Sequence, residues 1–288
     1  MTARQIGLVV LWMGGVLLSF SALAISIRLL AGGLSVFEIL AVRSLGSVVI
    51  LLALCILKPE LRKGLAPRRF GLNLLRNAVH FAATYSWALA ITLLPFATVF
   101  ALEFTMPAWA ALLALMILGE RVTAGRVAVV VTCFLGVLVI LRPGLEAFRP
   151  AALLVLGAAF GYAVFNIITK KLTATESPFA IVLWMNVMQL PMGLAGSDPA
   201  FLTKIGAAQI LPVAAIGIAG LSAHYCLANA FRAGDATFVL PIDFARLPLI
   251  ALIGWLFFGE ALDAFTFIGA AIILCGIFWN VRSETRKG

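Results

Sequence analysis

The chain has 288 residues, of which 63% are apolar and only 11% charged. A soluble domain carries about 25% charged residues, so this sequence cannot cover a water-facing surface and reads as an integral membrane protein. Its net charge of +9 and pI near 10 would suit nucleic acid or the basic loops that membrane proteins retain on the cytoplasmic side. The distribution of the charges selects the second.

Crossing a hydrocarbon core takes about 20 apolar residues. Apolar runs separated by charges, Gly and Pro predict ten spans, at 6–28, 35–57, 72–94, 97–118, 125–142, 151–170, 178–196, 208–231, 236–258 and 264–281. No extramembrane domain fits between them, which excludes catalysis on a soluble substrate in a separate domain. Ala22-Leu23-Ala24 resembles a signal-peptide cleavage site, but the apolar run is continuous from Ile6 to Ile27 and reads as a span. Cys55, Cys133, Cys226 and Cys275 stand singly in apolar runs, which suits core residues and neither a disulfide framework nor zinc. No metal and no cofactor is expected.

With the N-terminus in the cytoplasm, one side collects Arg4, Lys58, Arg62, Lys63, Arg68, Arg69, Arg76, Arg121, Arg126, Lys170, Lys171, Arg232, Arg282, Arg286 and Lys287. The other has Arg28, Arg142, Arg149 and Lys204. The positive-inside bias therefore predicts both termini in the cytoplasm and removes the need for a nucleic-acid partner.

The halves repeat at an offset near 140 residues. Leu118-Gly119-Glu120 returns as Phe258-Gly259-Glu260, Tyr85 as Tyr225, Ala97-Thr98 as Ala236-Thr237, Pro107 as Pro248, Gly136 as Gly276, and Ser35 with Phe37 as Ser177 with Phe179. Each unit holds five spans, an odd number, so the second enters the bilayer upside-down. The predicted organisation is an all-α membrane protein with a first unit at 1–142, an inverted second unit at 143–282 and a cytoplasmic tail at 283–288. Inverted repeats are the build of many secondary transporters, with the site near the midplane between them.

On these residues the sequence resembles the drug/metabolite transporter superfamily in its ten-helix EamA-type form. The resemblance rests on the two Gly-Glu corners, on Arg142-Pro143-Gly144, and on Pro241-x-Asp243-x-x-Arg246-Leu247-Pro248. Within the superfamily the chain is similar to the YddG-type aromatic amino-acid exporters. The resemblance implies a bacterial inner-membrane exporter with a central cavity, no enzymatic activity, alternating access, and a small-molecule substrate.

Ionisable residues inside spans face cavities or partners; here they are Glu38, Arg43, His80, Glu103, His224, Asp243 and Arg246. Asn73, Asn77, His80 and Thr84 share one face of the third span at helical spacing, and Trp87 continues it. That stripe is expected to line a wet cavity, with His224 as the counterpart of Thr84. Glu103 and Asp243 each precede a proline, Pro107 and Pro248, whose break frees a carbonyl. Asp243 with Arg246 makes either an i,i+3 ion pair or a clamp for a zwitterionic amino acid. Tyr162 and Asn166 share a face of the sixth span and border the cavity, Glu38 and Arg43 are expected to tie helices together, and Gly119-Glu120 and Gly259-Glu260 are expected to fix corners.

Rival functions are weaker. A membrane enzyme would show HExxH, GxSxG or a phosphate-cradling glycine loop, and a bis-histidine haem would need His80 facing His224 across the bundle. A passive channel fits the proline-broken spans less well. Small multidrug exporters use a carboxylate in the first span, and residues 6–28 contain none. Amino-acid export, preferably of aromatic or large apolar side chains, is the leading expectation; another small metabolite is the alternative. A proton could be exchanged by Glu103, Asp243 or His80, and a monomer is expected.

Overall fold

The structure is a computed structural model and describes residues 2–30, 32–94, 99, 102–120, 123–141, 150–258 and 264–285. The corner residues Gly259 and Glu260, the Arg142-Pro143-Gly144 turn and the boundary between the halves lie outside the described residues. Among the described residues all regular structure is helical.

The long helices are α1 (Ala3–Leu30), α2 (Val36–Leu57) and α3 (Phe70–Leu93). The fourth span runs through α4 (Met106–Leu113) and a π turn at Ala114–Leu118; α5 (Ala124–Leu141) follows. The second half comprises α6 (Ala152–Leu172), α7 (Pro178–Ala195) and α8 (Ala207–Ala233). Its ninth span is broken into α9 (Ala236–Val239), a 3₁₀ stretch at Leu240–Ala245, and α10 (Arg246–Phe258), and α11 (Ala264–Thr285) closes the chain. Six of these helices are long and apolar enough to cross a membrane. The 24-residue α3 is not among them, because its polar stripe lowers its hydropathy. Leu11, Leu18, Ile56, Leu57, Met116 and Leu211 are each at least 66% exposed. Such a belt suits lipid, not water.

Matching starts reflect the duplication. Ser35 caps α2, accepting from the Glu38 amide at 3.3 Å while its own amide donates to the Glu38 carboxylate at 2.7 Å. Its repeat counterpart Ser177 caps α7, accepting from the Ala180 amide at 3.1 Å. Each satisfies a helix-start donor that has no intrahelical acceptor. Gly119 ends the fourth span in the left-handed region, at φ 67°, where a side chain would be strained.

The main pairings are α1 with α8, α3 with α6, α2 with α7, and α5 with α11. Exchanging the halves turns α1·α8 into α6·α3 and returns α2·α7 and α5·α11 to themselves, as a two-fold relation requires. The α5·α11 crossing lies on that axis. Gly136 packs on Ile273 and Gly276 on Cys133, and each contact is the repeat image of the other. Since α5 neighbours with rising numbers meet α11 neighbours with falling ones, the two helices run antiparallel. The protein is thus two inverted five-helix repeats.

The starts of α1, α3, α5 and α9 and the ends of α6, α8 and α11 gather at one face, here the terminal face. The ends of α1 and α7 and the starts of α2 and α8 lie at the other. There Lys204 pairs with Glu38 at 2.7 Å and Asp198 at 3.1 Å. These contacts, Glu38 first, hold the Lys204 ammonium above its usual pKa, and the Ala200 amide, with Lys204, holds Asp198 below its own. Glu38 therefore ties to Lys204 and to its own helix start. Arg76, counted above with the loop charges, is wholly buried in α3.

A Cβ on Gly136 would come within 2.7 Å of Ile273 Cγ1 and 2.8 Å of the Gly269 carbonyl. Gly136→Val is expected to cost about 1–3 kcal/mol of stability, read as a lower thermal-unfolding midpoint in detergent. Gly7→Val, with nothing within 4 Å of its Cβ position, should leave that midpoint nearly unchanged.

Candidate functional site

A cavity opens between the repeats in the half of the bundle away from the terminal face. Its walls come from α1, α2, α3, the fourth span, α6, α8 and the broken ninth span. Toward the terminal face it is floored by packed side chains, including Met13, Ile167, Phe231 and Phe238, all wholly buried.

The two broken spans bring their carboxylates together. Pro107 lies in the first turn of α4 and Pro248 in the first turn of α10, where a missing N–H costs nothing. Glu103 and Asp243 sit just before these restarts. Their neighbours Phe104 and Phe244 stack across the two-fold at 5.4 Å, so the carboxylates would face each other as like charges. One cation resolves this. Arg246 Nη2 donates to Asp243 Oδ2 at 2.9 Å and Glu103 Oε1 at 3.1 Å, while Trp87 Nε1 donates to Glu103 Oε2 at 2.7 Å. The guanidinium also lies 5.4 Å from the rings of Phe20 and Phe104. In the register that pairs Glu103 with Asp243, the counterpart of Arg246 is Met106, so the charge triad breaks the symmetry of the halves.

An aromatic wall lines the same cavity. His80 stacks on Phe165 at 4.2 Å and meets His224 edge-on at 5.2 Å; Tyr162 lies 5.8 Å from His80, and Phe20 5.7 Å from His224. The histidine rings touch directly, leaving no room for a porphyrin between them. Behind this wall Arg76 lies over Phe165 at 4.3 Å and donates to Thr169 Oγ1 at 2.6 Å.

Arg43 lines the cavity and donates to Gln189 Oε1 at 2.7 Å; Gln189 Nε2 lies 3.0 Å from His80 Nδ1. Gly220 makes room for this arrangement, since a Cβ there would meet Arg43 Cγ and Cδ at 2.9 Å.

Of the sequence-predicted residues, His80, Thr84, Trp87, Glu103, Tyr162, Asn166, His224, Asp243 and Arg246 line one cavity. Asn77 does not: its amide donates to Met188 Sδ at 3.2 Å and its carbonyl accepts from Arg76, so the polar stripe of α3 divides. Asn73 is likewise structural, bonding both oxygens of Glu176 at 3.0 Å. Glu120 lies away from the cavity at the terminal face. It accepts from the amides of Ala236 and Thr237 at 3.0 and 3.1 Å, a carboxylate on the start of α9 where the helix dipole favours it. Lys170 Nζ donates to the Phe231 and Gly234 carbonyls beside it.

Sequence reasoning missed Gln189, Phe165 and Phe20. Gln189 is a polar residue inside an apolar span, a signal of the same kind as His80; the two phenylalanines carried none.

Five buried polar atoms of cavity-lining residues lack a hydrogen-bond partner among the described residues: Nε of Arg43, Nε of Arg246, Oδ1 of Asp243, Oδ1 of Asn166 and Nδ1 of His224. Buried polar groups in native proteins are nearly always satisfied. A ligand that both donates and accepts, with a ring to lie on the aromatic wall, would satisfy them. The formal charges of the lining's two arginines and two carboxylates sum to zero.

The EamA-like transporter family matches residues 7–142 and again 149–282. The chain is similar to a riboflavin transporter of Vibrio cholerae serotype O1, at 34% identity over 229 residues, 79% of this chain and 76% of the relative. It is also similar to an S-adenosylmethionine uptake transporter of Rickettsia conorii, at 27% identity over 270 residues, 94% and 91% of the two chains. A solved structure titled only as the crystal structure of a protein superposes with a TM-score of 0.81 over 99% of each chain at 16% identity, which supports the fold. These relatives are named as transporters, not enzymes, and their names do not carry the likeness to aromatic amino-acid exporters.

Removing one partner of a buried ion pair costs about 3–5 kcal/mol because it strands a charge. Arg246→Ala is expected to lose stability on that scale, measured by denaturation in detergent. Adding Glu103→Gln and Asp243→Asn to Arg246→Ala should restore most of it.

Proposed function

The chain belongs to the EamA-like transporter family, and from that premise we propose that it carries a neutral, amphipathic heteroaromatic metabolite of the riboflavin class across a bacterial inner membrane. The carrying observation is the cavity: an aromatic wall together with unpartnered donors and acceptors, the formal charges of its arginines and carboxylates summing to zero. A flavin ring suits the first and its carbonyls, ring N–H and hydroxylated tail the second. The similarity to a riboflavin transporter supports the same reading.

The amino-acid reading is less well served. Asp243 and Arg246 are bonded to each other and Arg246 also to Glu103, so a zwitterion would meet a pair already committed to the triad except at Asp243 Oδ1 and Arg246 Nε. S-adenosylmethionine carries a net positive charge, and a lining whose two carboxylates already share an arginine offers it no surplus anion.

The distribution of basic residues favours both termini in the cytoplasm, and with Arg76 removed from the comparison the bias persists. In that orientation the packed floor and the Glu120 and Lys170 contacts close the cytoplasmic side, while the cavity lies in the outer half. Transport then proceeds by exchange between this state and its inverted equivalent, the near-equivalence coming from the two-fold relation of the repeats. A monomer suffices for this reading, since the described lining of the cavity comes from one chain. Glu103 and Asp243 are the groups placed to exchange a proton if transport is coupled to one.

Vesicles containing the purified protein are expected to accumulate riboflavin faster than protein-free vesicles, followed by flavin fluorescence. Asp243→Asn, which removes the charge behind the free Oδ1, should weaken riboflavin binding about tenfold or more, the scale of a charged hydrogen bond. No riboflavin transport, together with exchange of labelled phenylalanine, would overturn the reading in favour of amino acids.

A further inference from the structure

Gln189 does not line the cavity, yet its placement settles the chemistry of a residue that does. The guanidinium of Arg43 has only donors, so the Gln189 atom 2.7 Å from Arg43 Nη2 must be the carbonyl oxygen. The amide is thereby oriented, and the atom 3.0 Å from His80 Nδ1 is its NH₂ group. An NH₂ group can only donate, so His80 Nδ1 accepts. In a neutral imidazole the proton must then sit on Nε2. A second proton would have to go on Nδ1, where it would point at another donor.

We propose that Gln189, held by Arg43, is a positioning residue that locks His80 as the neutral Nε2–H tautomer, so that the aromatic wall presents a hydrogen-bond donor to a carbonyl of the ring lying on it. The parts are well fixed. Gln189 is 1% exposed, Arg43 and His80 are each 5% exposed, and His80 is pressed between Phe165 and His224. No described residue bonds His80 Nε2, which leaves that donor for a ligand. The lining residues then carry three unpartnered donors, the Nε groups of Arg43 and Arg246 and Nε2 of His80, beside the acceptors of Asp243 and Asn166 and Nδ1 of His224. His80 thus adds one fixed donor, which favours a ligand with a carbonyl or ring-nitrogen acceptor to meet it. The assignment of the ligand rests on the reading of the cavity as a riboflavin-type site; the tautomer does not.

The test uses the full-length protein labelled with ¹⁵N-histidine. The chain has two histidines, and His224→Asn assigns the remaining pair of ring signals to His80. The expected spectrum shows Nδ1 unprotonated and Nε2 protonated. Gln189→Glu keeps the acceptor for Arg43 but faces His80 with a carboxylate, so a proton is expected on Nδ1, and riboflavin affinity should fall about tenfold or more as the donor turned to the ligand is lost or reversed. A wild-type His80 protonated on Nδ1 overturns the proposal without any variant. A tautomer that switches in a folded Gln189→Glu protein with unchanged riboflavin affinity overturns the role in recognition. Absence of riboflavin binding by the wild type, with the tautomer as expected, overturns the riboflavin reading and leaves the lock supported.

Discussion

In a hydrocarbon core no water is present to satisfy a stray polar group, so every buried N–H, carbonyl and charge must find a partner within the protein or face a wet cavity. That requirement organises this molecule. Arg76, Asn73 and Asn77 are consumed by contacts between α3, α6 and α7. Glu38 is consumed by Lys204 and its own helix start. Among the described residues, most of the unpartnered buried side-chain atoms belong to residues around one cavity, though Asn73 Oδ1 and Ser44 Oγ lie elsewhere.

Duplication creates an electrostatic problem and a single substitution resolves it. A two-fold axis through a pair of broken spans brings Glu103 and Asp243 to the same place, along with the stacked rings of Phe104 and Phe244. Two like charges in a low-dielectric interior repel strongly. Arg246 in one repeat, opposite Met106 in the other, neutralises both at once. Symmetry is thus kept at the Gly136 and Gly276 crossing and broken at the charge triad of the cavity.

The same economy explains how one side chain serves two purposes. Arg43 lines the cavity and also holds the amide of Gln189, which in turn sets the orientation of His80. Gly220 permits this by leaving the space that Arg43 occupies. Glu38 and Arg43 lie five positions apart on one helix, and each turns to a different neighbour, Lys204 and Gln189.

Composition alone determined that the chain lies in a membrane, and the spacing of its apolar runs determined ten spans, because the thickness of the hydrocarbon core dictates their length. The internal repeat with an odd number of spans determined the inversion, since alternating direction through the bilayer admits no other outcome. Nine of the ten predicted cavity residues were legible too, because a polar group inside an apolar span is costly wherever it points. Which polar groups pair with each other and which stay open was decided only by the tertiary structure. Asn77 and His80 lie on one face of one helix, yet Met188 covers the first while the second meets the cavity. Helical periodicity specifies the direction of a side chain and is silent about the neighbour, which comes from the antiparallel packing of the two repeats.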